Sequence, residues 1–217
     1  MPYLRTFTSG LFETNSFLIG AESSREAVLI DTPPDSYDKV NAALRKDGRT
    51  IAAIMITHPH FDHVVDVSKY ASKDLPLVAL AEAVGGIATP DDMGLLTKES
   101  GSLPGAEVTH VVSGADRLNF AGLEFEVFEV PGHCVGSAAF HVKSESLCFV
   151  GDLIFRGAIG RSDFPGGDFD VLIESIHRCI YTLSNKTMLL SGHGPSTDVG
   201  TEKRENPFTR VRHLSSQ

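Results

Sequence analysis

The chain has 217 residues, of which 41% are hydrophobic, and its 28 acidic and 19 basic side chains give a formal net charge of -9. This length, without any low-complexity tract, predicts one catalytic domain over residues 1–217, because two ordinary domains would need a longer chain. The acidic balance argues against a nucleic-acid backbone as the main partner, since phosphate binding requires a basic face.

Apolar runs and cysteines indicate the cellular compartment of the protein. The N-terminus has no apolar run of signal-peptide length, and no run is long enough to span a bilayer. Cys134, Cys148 and Cys179 are odd in number and show no paired spacing, which is typical of a reducing compartment. We therefore expect a cytoplasmic protein without a membrane partner.

The first elements in chain order are predicted to form an antiparallel meander followed by a helix. In the helix, Tyr37, Val40 and Leu44 lie on one face, and Gly48 stands just past the end. The three strands of the meander are predicted at Tyr3 to Phe7, Ser16 to Gly20 and Ala27 to Asp31.

The apolar run Ile51 to Ile56 predicts a strand that leads directly into a histidine-rich turn. The turn reads Thr57-His58-Pro59-His60-Phe61-Asp62-His63. Because Pro59 prevents a regular continuation, alternate side chains can point toward two different ions. Crowded imidazoles repel one another when protonated and gain little when neutral, so this motif predicts a bound cation rather than an incidental polar loop.

Strands alternate with helices along the rest of the chain. Val64 to Ser72 is predicted to be a helix whose N-terminus carries Asp62 and His63. Asp170 to Leu183 has a broad apolar stripe at helical spacing, which must cover a sheet. Gly85 to Gly105 is interpreted as a surface connection, with a lid beside the site as the alternative. Further strands are predicted at Leu77 to Leu80, Val108 to Val112, Leu123 to Val130, Ala138 to Val142, Ser146 to Val150 and Met188 to Leu190.

Three later turns share one local form, in which a short apolar strand runs into a glycine. The residue after each glycine is His133, Asp152 or His193. Each of these residues alone is more typical of a turn or a helix cap than of a metal site. Together with the first motif, they complete a set of nitrogen and oxygen ligands for a catalytic metal site.

In this order the motifs resemble those of the metallo-β-lactamase superfamily, whose pattern His-x-His-x-Asp-His followed by His, Asp and His is filled here without a gap. The resemblance covers nearly the whole chain. It implies an α/β fold, the αββα sandwich of two mixed β-sheets with helices on the outer faces. It also implies two divalent metal ions, one held by His58, His60 and His133, the other by Asp62, His63 and His193, with Asp152 bridging both.

The donor set indicates the metal and the chemistry. Imidazole and carboxylate without thiolate suit Zn(II), with Fe(II) or Mn(II) also possible. Two such ions about 3.5 to 4 Å apart lower the pKa of a water between them enough to give a hydroxide nucleophile near neutrality. The resemblance therefore implies hydrolysis of an acyl bond without an activated serine or cysteine. Asp62 and Asp152 are the predicted catalytic residues, which offset the ionic charge and orient the nucleophile.

The segment after Asp152 points to a particular branch of the superfamily. Residues Phe155 to Asp168 resemble the corresponding loop of glyoxalase II-type hydrolases. His193-Gly194-Pro195 and Asn206-Pro207-Phe208 are similar to the short bacterial branch of that group. The resemblance implies a hydroxyacylglutathione hydrolase, which cleaves a small-molecule thioester such as S-lactoylglutathione.

Two features of the C-terminal half of the chain concern the substrate. Arg161 falls where relatives carry a basic residue that meets the glutathione carboxylates, a task that suits a planar guanidinium. An ion pair with Asp163 or Asp168 is an equally open interpretation. Little chain follows His193, so we expect no separate C-terminal helical substrate domain of the kind that longer glyoxalase II enzymes carry. The basic tail from residue 203 to 213 is either a solvated terminus or an anion-binding segment.

The main alternative is a persulfide dioxygenase with one Fe(II), which shares the element Gly160-Arg161-Ser162-Asp163-Phe164. The complete second set of ligands argues against it. A metal-dependent lactonase or β-lactamase would use the same chemistry, but a secreted β-lactamase would carry a signal peptide. A nuclease of the superfamily would usually need an extra domain, and a scaffold protein would not need all seven ligands. The sequence leaves the oligomeric state open.

Overall fold

The computed structural model describes residues 1–70, 72–91 and 103–209, and two six-stranded mixed sheets form its centre. The strands of the first sheet are, in spatial order, β1 (Tyr3–Ser9), β2 (Thr14–Gly20), β3 (Glu26–Ile30), β4 (Thr50–Met55), β5 (Leu77–Leu80) and β6 (His110–Val112). β1 to β3 form the predicted antiparallel meander, whereas β3 to β6 run parallel.

The second sheet comes from the C-terminal half of the chain. Its spatial order is β14-β13-β10-β9-β8-β7, and only the β10–β13 pair is parallel. A separate two-stranded hairpin, β11 with β12, follows β10. These strands are β7 (Arg117–Phe120), β8 (Leu123–Glu129), β9 (Ala138–Val142), β10 (Leu147–Gly151), β11 (Ile154–Phe155), β12 (Ala158–Ile159), β13 (Met188–Ser191) and β14 (Thr197–Asp198).

Alternation of side chains along the strands creates three apolar layers. In β2, Phe17 and Ile19 point into the core between the sheets, and Leu18 points to the outer face of the first sheet. In the second sheet, Phe149 enters the same central core, while Cys148 faces outward. Central strands such as β2, β9 and β10 are therefore buried on both faces, whereas β1 and β7, at the edges of the two sheets, keep exposed positions.

Helices cover both outer faces. Val40 and Leu44 of α1 pack on the first sheet, and Leu172 of α4 packs on the second together with Ile176 and Ile180. The predicted αββα sandwich is thereby confirmed. The helices are α1 (Tyr37–Asp47), α2 (Phe61–Val64), α3 (Val84–Ala88), α4 (Phe169–Ser175), which continues as a π-helical turn over Ile176–Ile180, and α5 (Val199–Glu205).

Two predicted helices have different forms in the structure. The helix expected over Val64 to Ser72 is wrong in extent, because α2 ends at Val64 and a tight 3-10 turn, Val65–Lys69, follows. The cause is a tertiary contact: the backbone N–H of Thr32 donates to the carbonyl of His63 at 2.7 Å, and that of Asp66 donates to the carbonyl of Thr32 at 3.0 Å, so the chain after His63 bonds to a segment outside the helix. The long helix expected over Asp170 to Leu183 changes to a π-helical turn at Ile176.

Several elements were not predicted, namely β7, β11, β12, β14, α3 and α5. Of the two uncertain segments, residues 92–102 of the Gly85 to Gly105 connection and residues 210–213 of the basic tail lie outside the described residues. Within the part of the chain that is described, no helix is long and apolar enough to cross a membrane.

Backbone hydrogen bonds join the two sheets at one edge of the sandwich. The N–H of Asn15 donates to the carbonyl of Gly192 at 2.7 Å, and that of Ala138 donates to the carbonyl of Thr57 at 2.7 Å. The first bond ties the start of β2 to the turn after β13, and the second ties the segment after β4 to the start of β9. The turns singled out in the sequence therefore meet at this edge.

Candidate metal centre

The histidine-rich turn leaves the first sheet at this edge and begins α2. After β4 ends, Thr57 and His58 are buried, and His60 keeps an extended backbone immediately before the helix. Asp62 and His63 lie in the first turn of α2. The extended residue followed by a helical turn separates the two pairs of side chains, as expected from the position of Pro59.

The other three turns come from the second sheet, and glycine precedes the key residue in each. Gly132 has φ of +124°, and a Cβ there would overlap the backbone of Leu172. A Cβ on Gly192 would overlap Asp152 Oδ1 and lie 2.6 Å from His63 Cε1. The glycine turns predicted from the sequence thus make room for the side chains that converge there.

The structure brings together all seven residues that the sequence motifs indicate. Their potential ligand atoms form three overlapping groups, and within each group these atoms lie within 4.8 Å of one another. The groups are His58, His60 and His133; His58, His63 and Asp152; and Asp62, His63 and His193.

Asp152 lies at the centre of this cluster. Its Oδ1 is 3.4 Å from His63 Nε2, and its Oδ2 is 3.3 Å from His193 Nε2 and 3.8 Å from His133 Nε2. Asp62 Oδ2 is 3.4 Å from His193 Nε2. Asp152 therefore faces histidines of both sets, which is the position that a bridging ligand requires.

Unpartnered buried atoms test whether these residues fit a metal. His58 Nε2, His63 Nε2 and Asp152 Oδ1 are buried and make no hydrogen bond with the described part of the protein. An unsatisfied buried polar atom costs about 1 to 3 kcal/mol, and such atoms are rare in native proteins. All three face the same space, so divalent cations would satisfy them together. The donor set fits a metal centre.

The histidines of the cluster divide into two groups by the direction in which their pKa is shifted. Burial and the His63 imidazole hold the pKa of His58 well below its usual range, and burial with the His133 imidazole lowers the pKa of His60 to about 4. Burial would raise the pKa of Asp152, but the nearby His63 and His193 outweigh it and hold that pKa well below its usual range. Although burial favours their neutral forms, the carboxylates of Asp152 and Asp31 raise the pKa of His63 well above its usual range, and those of Asp152 and Asp62 raise the pKa of His193 to about 10. Metal binds neutral imidazoles and ionised carboxylates, so metal binding would release the protons of these two rings.

A second layer of contacts orients the rings. Asp31, which is buried at the end of β3, accepts from His63 Nδ1 at 2.8 Å and from the Thr57 hydroxyl at 2.7 Å. The Thr14 hydroxyl donates to Asp62 Oδ2 at 2.8 Å. Hydrogen bonds of this kind fix the ring orientation and keep the second nitrogen free for a metal. Sequence reasoning missed Asp31, which follows an apolar strand as Asp152 does but without the glycine that marked the other turns.

Backbone carbonyls orient the rings of two further histidines. His133 Nδ1 lies 2.6 Å from the carbonyl oxygen of Arg161, and His193 Nδ1 lies 2.9 Å from that of Phe12. With Nδ1 occupied, Nε2 of each ring faces the cluster. The loop after β12 and the turn between β1 and β2 are therefore connected directly to the candidate ligands.

A cavity of about 430 Å³ opens onto the cluster. Arg161 lines it, but the guanidinium also forms a two-point ion pair with Asp163, with Nε–Oδ1 and Nη2–Oδ2 distances of 2.9 and 2.8 Å. Asp168, the other predicted ion-pair partner, caps α4 instead. The sequence did not single out the cavity walls, whose apolar residues are Phe12, Phe61, Phe155, Ile159 and Phe164.

Clustered imidazoles and carboxylates at one edge of an αββα sandwich define the class of metal-dependent hydrolases built on this fold. The family model of the metallo-beta-lactamase superfamily matches residues 9–193, and the chain belongs to this superfamily. The resemblance inferred from the motifs is thereby confirmed.

Similar proteins include enzymes of nearly the same length. The chain is 36% identical over 210 residues to the probable metallo-hydrolase YqgX of Bacillus subtilis. The matched region covers 94% of this chain and 96% of that protein. It is 29% identical over 209 residues to the hydroxyacylglutathione hydrolase GloC of Haemophilus influenzae, covering 91% of this chain and 93% of the relative. The crystal structure of TTHA1623 in a di-iron-bound form is 33% identical, with a TM-score of 0.81, and the match covers 94% and 99% of the two chains.

Proposed function

We propose that this protein is a dinuclear metal-dependent thioester hydrolase whose substrate is a glutathione thioester of the S-lactoylglutathione type. The observation that carries the proposal is the cluster of seven potential ligands: buried atoms of His58, His63 and Asp152 make no hydrogen bond with the described part of the protein, and Asp152 lines an open cavity together with four other members of the cluster. The similarity to GloC, a hydroxyacylglutathione hydrolase, supports the substrate class.

Two ions fit the arrangement of donors better than one. His58, His60 and His133 would hold the first ion, and Asp62, His63 and His193 the second, with Asp152 between them. Nitrogen and oxygen donors without thiolate suit Zn(II), and Fe(II) or Mn(II) are further candidates. The di-iron form of TTHA1623 supports a two-metal site. When bound, such ions lower the pKa of a water and polarise a carbonyl oxygen.

The chain's own carboxylates set up the hydrolytic step. Asp62 and Asp152 offset the positive charge of the centre, and the Thr14 hydroxyl fixes Oδ2 of Asp62. From that position Asp62 orients the water that attacks the thioester carbonyl. Among the described residues that line the cavity there is no serine or cysteine. Cys134, next to His133, is buried with a thiol pKa raised to about 11 by that burial, so it is not a nucleophile.

Arg161 is the proposed anchor for a carboxylate of the thiol. Its guanidinium is exposed at the cavity and pairs with Asp163, which is also exposed. Water screens such surface pairs, so they contribute little. A substrate carboxylate can therefore displace Asp163 from the Arg161 guanidinium, or bind beside it, at a small cost in free energy.

The proposal is tested with S-lactoylglutathione and protein loaded separately with Zn(II), Fe(II) or Mn(II), beside a chelated control. Metal-dependent release of glutathione is the expected result. Full turnover by the chelated protein would contradict the role of the metals.

A persulfide dioxygenase remains the second candidate, because Gly160 to Phe164 lies against the cluster: the Phe164 ring is 5.3 Å from that of His60. Failure of fully loaded protein to cleave the thioester, with oxygen uptake when glutathione persulfide is added to the Fe(II) form, would favour it. Metal-dependent lactone opening without thioester cleavage would favour a lactonase.

A further inference from the structure

The walls of the candidate active-site cavity are mainly apolar. Apart from the potential ligands, the cavity is lined by Phe12, Phe61, Phe155, Ile159 and Phe164, with Arg161 as the one other side chain among the described residues. Phe12 lies in the turn between β1 and β2 and is 41% exposed, yet its ring packs edge-on against that of Phe61 with centroids 5.6 Å apart. An exposed aromatic ring beside buried polar ligands indicates a surface that contacts substrate.

The aromatic residues divide between two sides of the cluster. Phe164 lies beside His60 and His133, with ring centroids 5.3 and 6.0 Å away, and the Arg161 guanidinium lies 4.3 Å above the Phe164 ring. On the other side, the Phe155 ring is 6.0 Å from that of His193. The cavity therefore has one side with a cation and one side without a charged group other than the potential ligands.

Phe12 belongs to the uncharged side. Its carbonyl oxygen lies 2.9 Å from His193 Nδ1, and the N–H of Asn15 donates to the carbonyl of Gly192 at 2.7 Å. The turn that carries Phe12 is thus tied to the turn that carries His193. Phe12 and Phe155 form what we term the acyl wall.

Residues of α5 and its C-terminal end fix the β11–β12 hairpin, which carries Phe155. The N–H of Gly157 donates to Glu202 Oε2 at 3.0 Å, and Asn206 Nδ2 donates to the carbonyl of Ala158 at 2.9 Å. Glu202 and Asn206 are buried, and Asn206 Nδ2 also donates to Glu202 Oε2 at 2.8 Å. These bonds fix the hairpin backbone before substrate binds, which reduces the entropy lost on binding.

We propose that the acyl wall binds the apolar part of the acyl group, so that kcat/KM for glutathione thioesters rises with the length of the acyl chain. This inference rests on the proposed thioester hydrolase function. If Arg161 takes a carboxylate of the thiol on the Phe164 side, the acyl group lies on the His193 side, against Phe12 and Phe155. Methylene groups that leave water and pack against this wall would gain free energy from burial.

The test uses glutathione thioesters that differ only in the acyl group: lactoyl, propionyl, butyryl and hexanoyl. Propionyl is the matched partner of lactoyl, because the two differ by one hydroxyl. Each kcat/KM is divided by the rate of hydroxide-catalysed hydrolysis of the same thioester, which removes the intrinsic activation by the hydroxyl. From propionyl to hexanoyl we expect this ratio to rise about fourfold for each added methylene that becomes buried.

Phe12→Ala should reduce the increase of kcat/KM with acyl chain length while leaving the metal content unchanged. Leu11→Ala is the matched control, because Leu11 is the adjacent residue of the same turn, is 74% exposed and does not line the cavity. It should leave the slope of the series unchanged.

The outcomes separate this inference from the function on which it rests. Metal-dependent cleavage with a flat series in the unmodified protein would overturn the inference and leave the thioester hydrolase intact. A steep series that Phe12→Ala does not change would overturn the assignment of the wall. Absence of cleavage for every thioester by fully loaded protein would remove the proposed function, and the inference with it.

Discussion

At the scale of single residues, Asp152 connects the two sets of candidate ligands. Its carboxylate faces three histidines, and its Oδ1 is buried without a hydrogen bond. Local sequence places it after an apolar strand and a glycine, and its bridging role was implied by the resemblance to the superfamily. The neighbouring side chains, which come from distant parts of the chain, are what give it a metal-bridging geometry.

Asp152→Ala should remove metal and activity together. The loss of the central carboxylate leaves several imidazoles without a counter-charge, so we expect metal content to fall. The value of kcat/KM should fall by at least about 100-fold, since even an outer partner of a metal ligand is worth 10- to 100-fold. Metal analysis and thioester turnover are the measurements. Cys134→Ser is the control and should retain both, and a fully metal-loaded, active Asp152→Ala protein would rule out the bridging role.

Asp31→Asn should weaken metal binding without touching a metal ligand. The change removes a negative charge and an acceptor that orient His63 through Nδ1, so we expect metal affinity to fall about 10- to 100-fold. Competition with a chromogenic chelator measures this. Asp66→Asn is a matched control, because Asp66 is equally buried but bonds to the Tyr37 N–H and to Lys69. Equal affinities in both variants would contradict the positioning role of Asp31.

Arg161→Ala should raise KM for an anionic thioester and leave kcat nearly unchanged. Because the guanidinium is exposed and screened, the increase should be no more than about fivefold. Steady-state kinetics with S-lactoylglutathione measures it, and the thioester of neutral N-acetylcysteamine serves as the comparison. An unchanged KM for the anionic substrate would remove Arg161 from the binding site and leave it as the partner of Asp163.

At the scale of elements, the strand-to-glycine turns arrange the site. They were predictable because each combines an apolar strand, a glycine and a potential ligand in adjacent positions. The structure adds the reason for glycine at position 192, where any Cβ would enter the space of Asp152 and His63. Such a requirement cannot be read from one strand, since the colliding atoms belong to other elements.

Gly192→Ala should therefore disrupt the metal centre while most of the fold survives. The added methyl group must displace Asp152 or His63, so we expect loss of at least one metal ion per chain and a lower Tm. Gly85→Ala is the control, because no atom lies within 4 Å of a Cβ there and alanine favours the α3 helix. Metal analysis and thermal unfolding of both variants provide the test. Full metal occupancy in Gly192→Ala would show that the site can adapt.

Two other elements could not be predicted from local sequence patterns: the π-helical turn after α4 and the β11–β12 hairpin. The apolar stripe of Asp170 to Leu183 correctly indicated a helix on a sheet, but the π-helical turn depends on a hydrogen bond from Tyr181 N–H to the Ile176 carbonyl at 2.9 Å. The hairpin of β11 and β12 has strands of two residues each, too short for any periodicity to reveal.

At the scale of the whole molecule, metal and folding are coupled. The candidate ligands come from both sheets, so the complete set exists only when the two halves of the sandwich are assembled. A ligand that binds only the folded state stabilises it by an amount that depends on its concentration relative to Kd.

Removal of metal with a chelator should therefore lower Tm. At a metal concentration of 100 times Kd the stabilisation is about 2.7 kcal/mol, which corresponds to roughly 5 to 10 °C for a chain of this size. Thermal unfolding of chelated and reloaded protein measures the shift. Asp152→Ala is the control and should show a much smaller one. Identical Tm values for metal-free and metal-loaded wild-type protein would contradict this coupling.

By itself the sequence predicted the strands and the positions of the candidate ligands from local patterns, since histidine or aspartate follows apolar strands, and it predicted the sandwich and the two-ion ligand set through its resemblance to the superfamily. The sandwich is confirmed, and the ligand set stays a prediction. Only the tertiary structure decided the rest. It showed Asp31 bonded to His63, Arg161 paired with Asp163, and Phe12 and Phe155 in one wall beside His193. These relations join residues far apart in the chain, and their geometry arises only when the two sheets pack together.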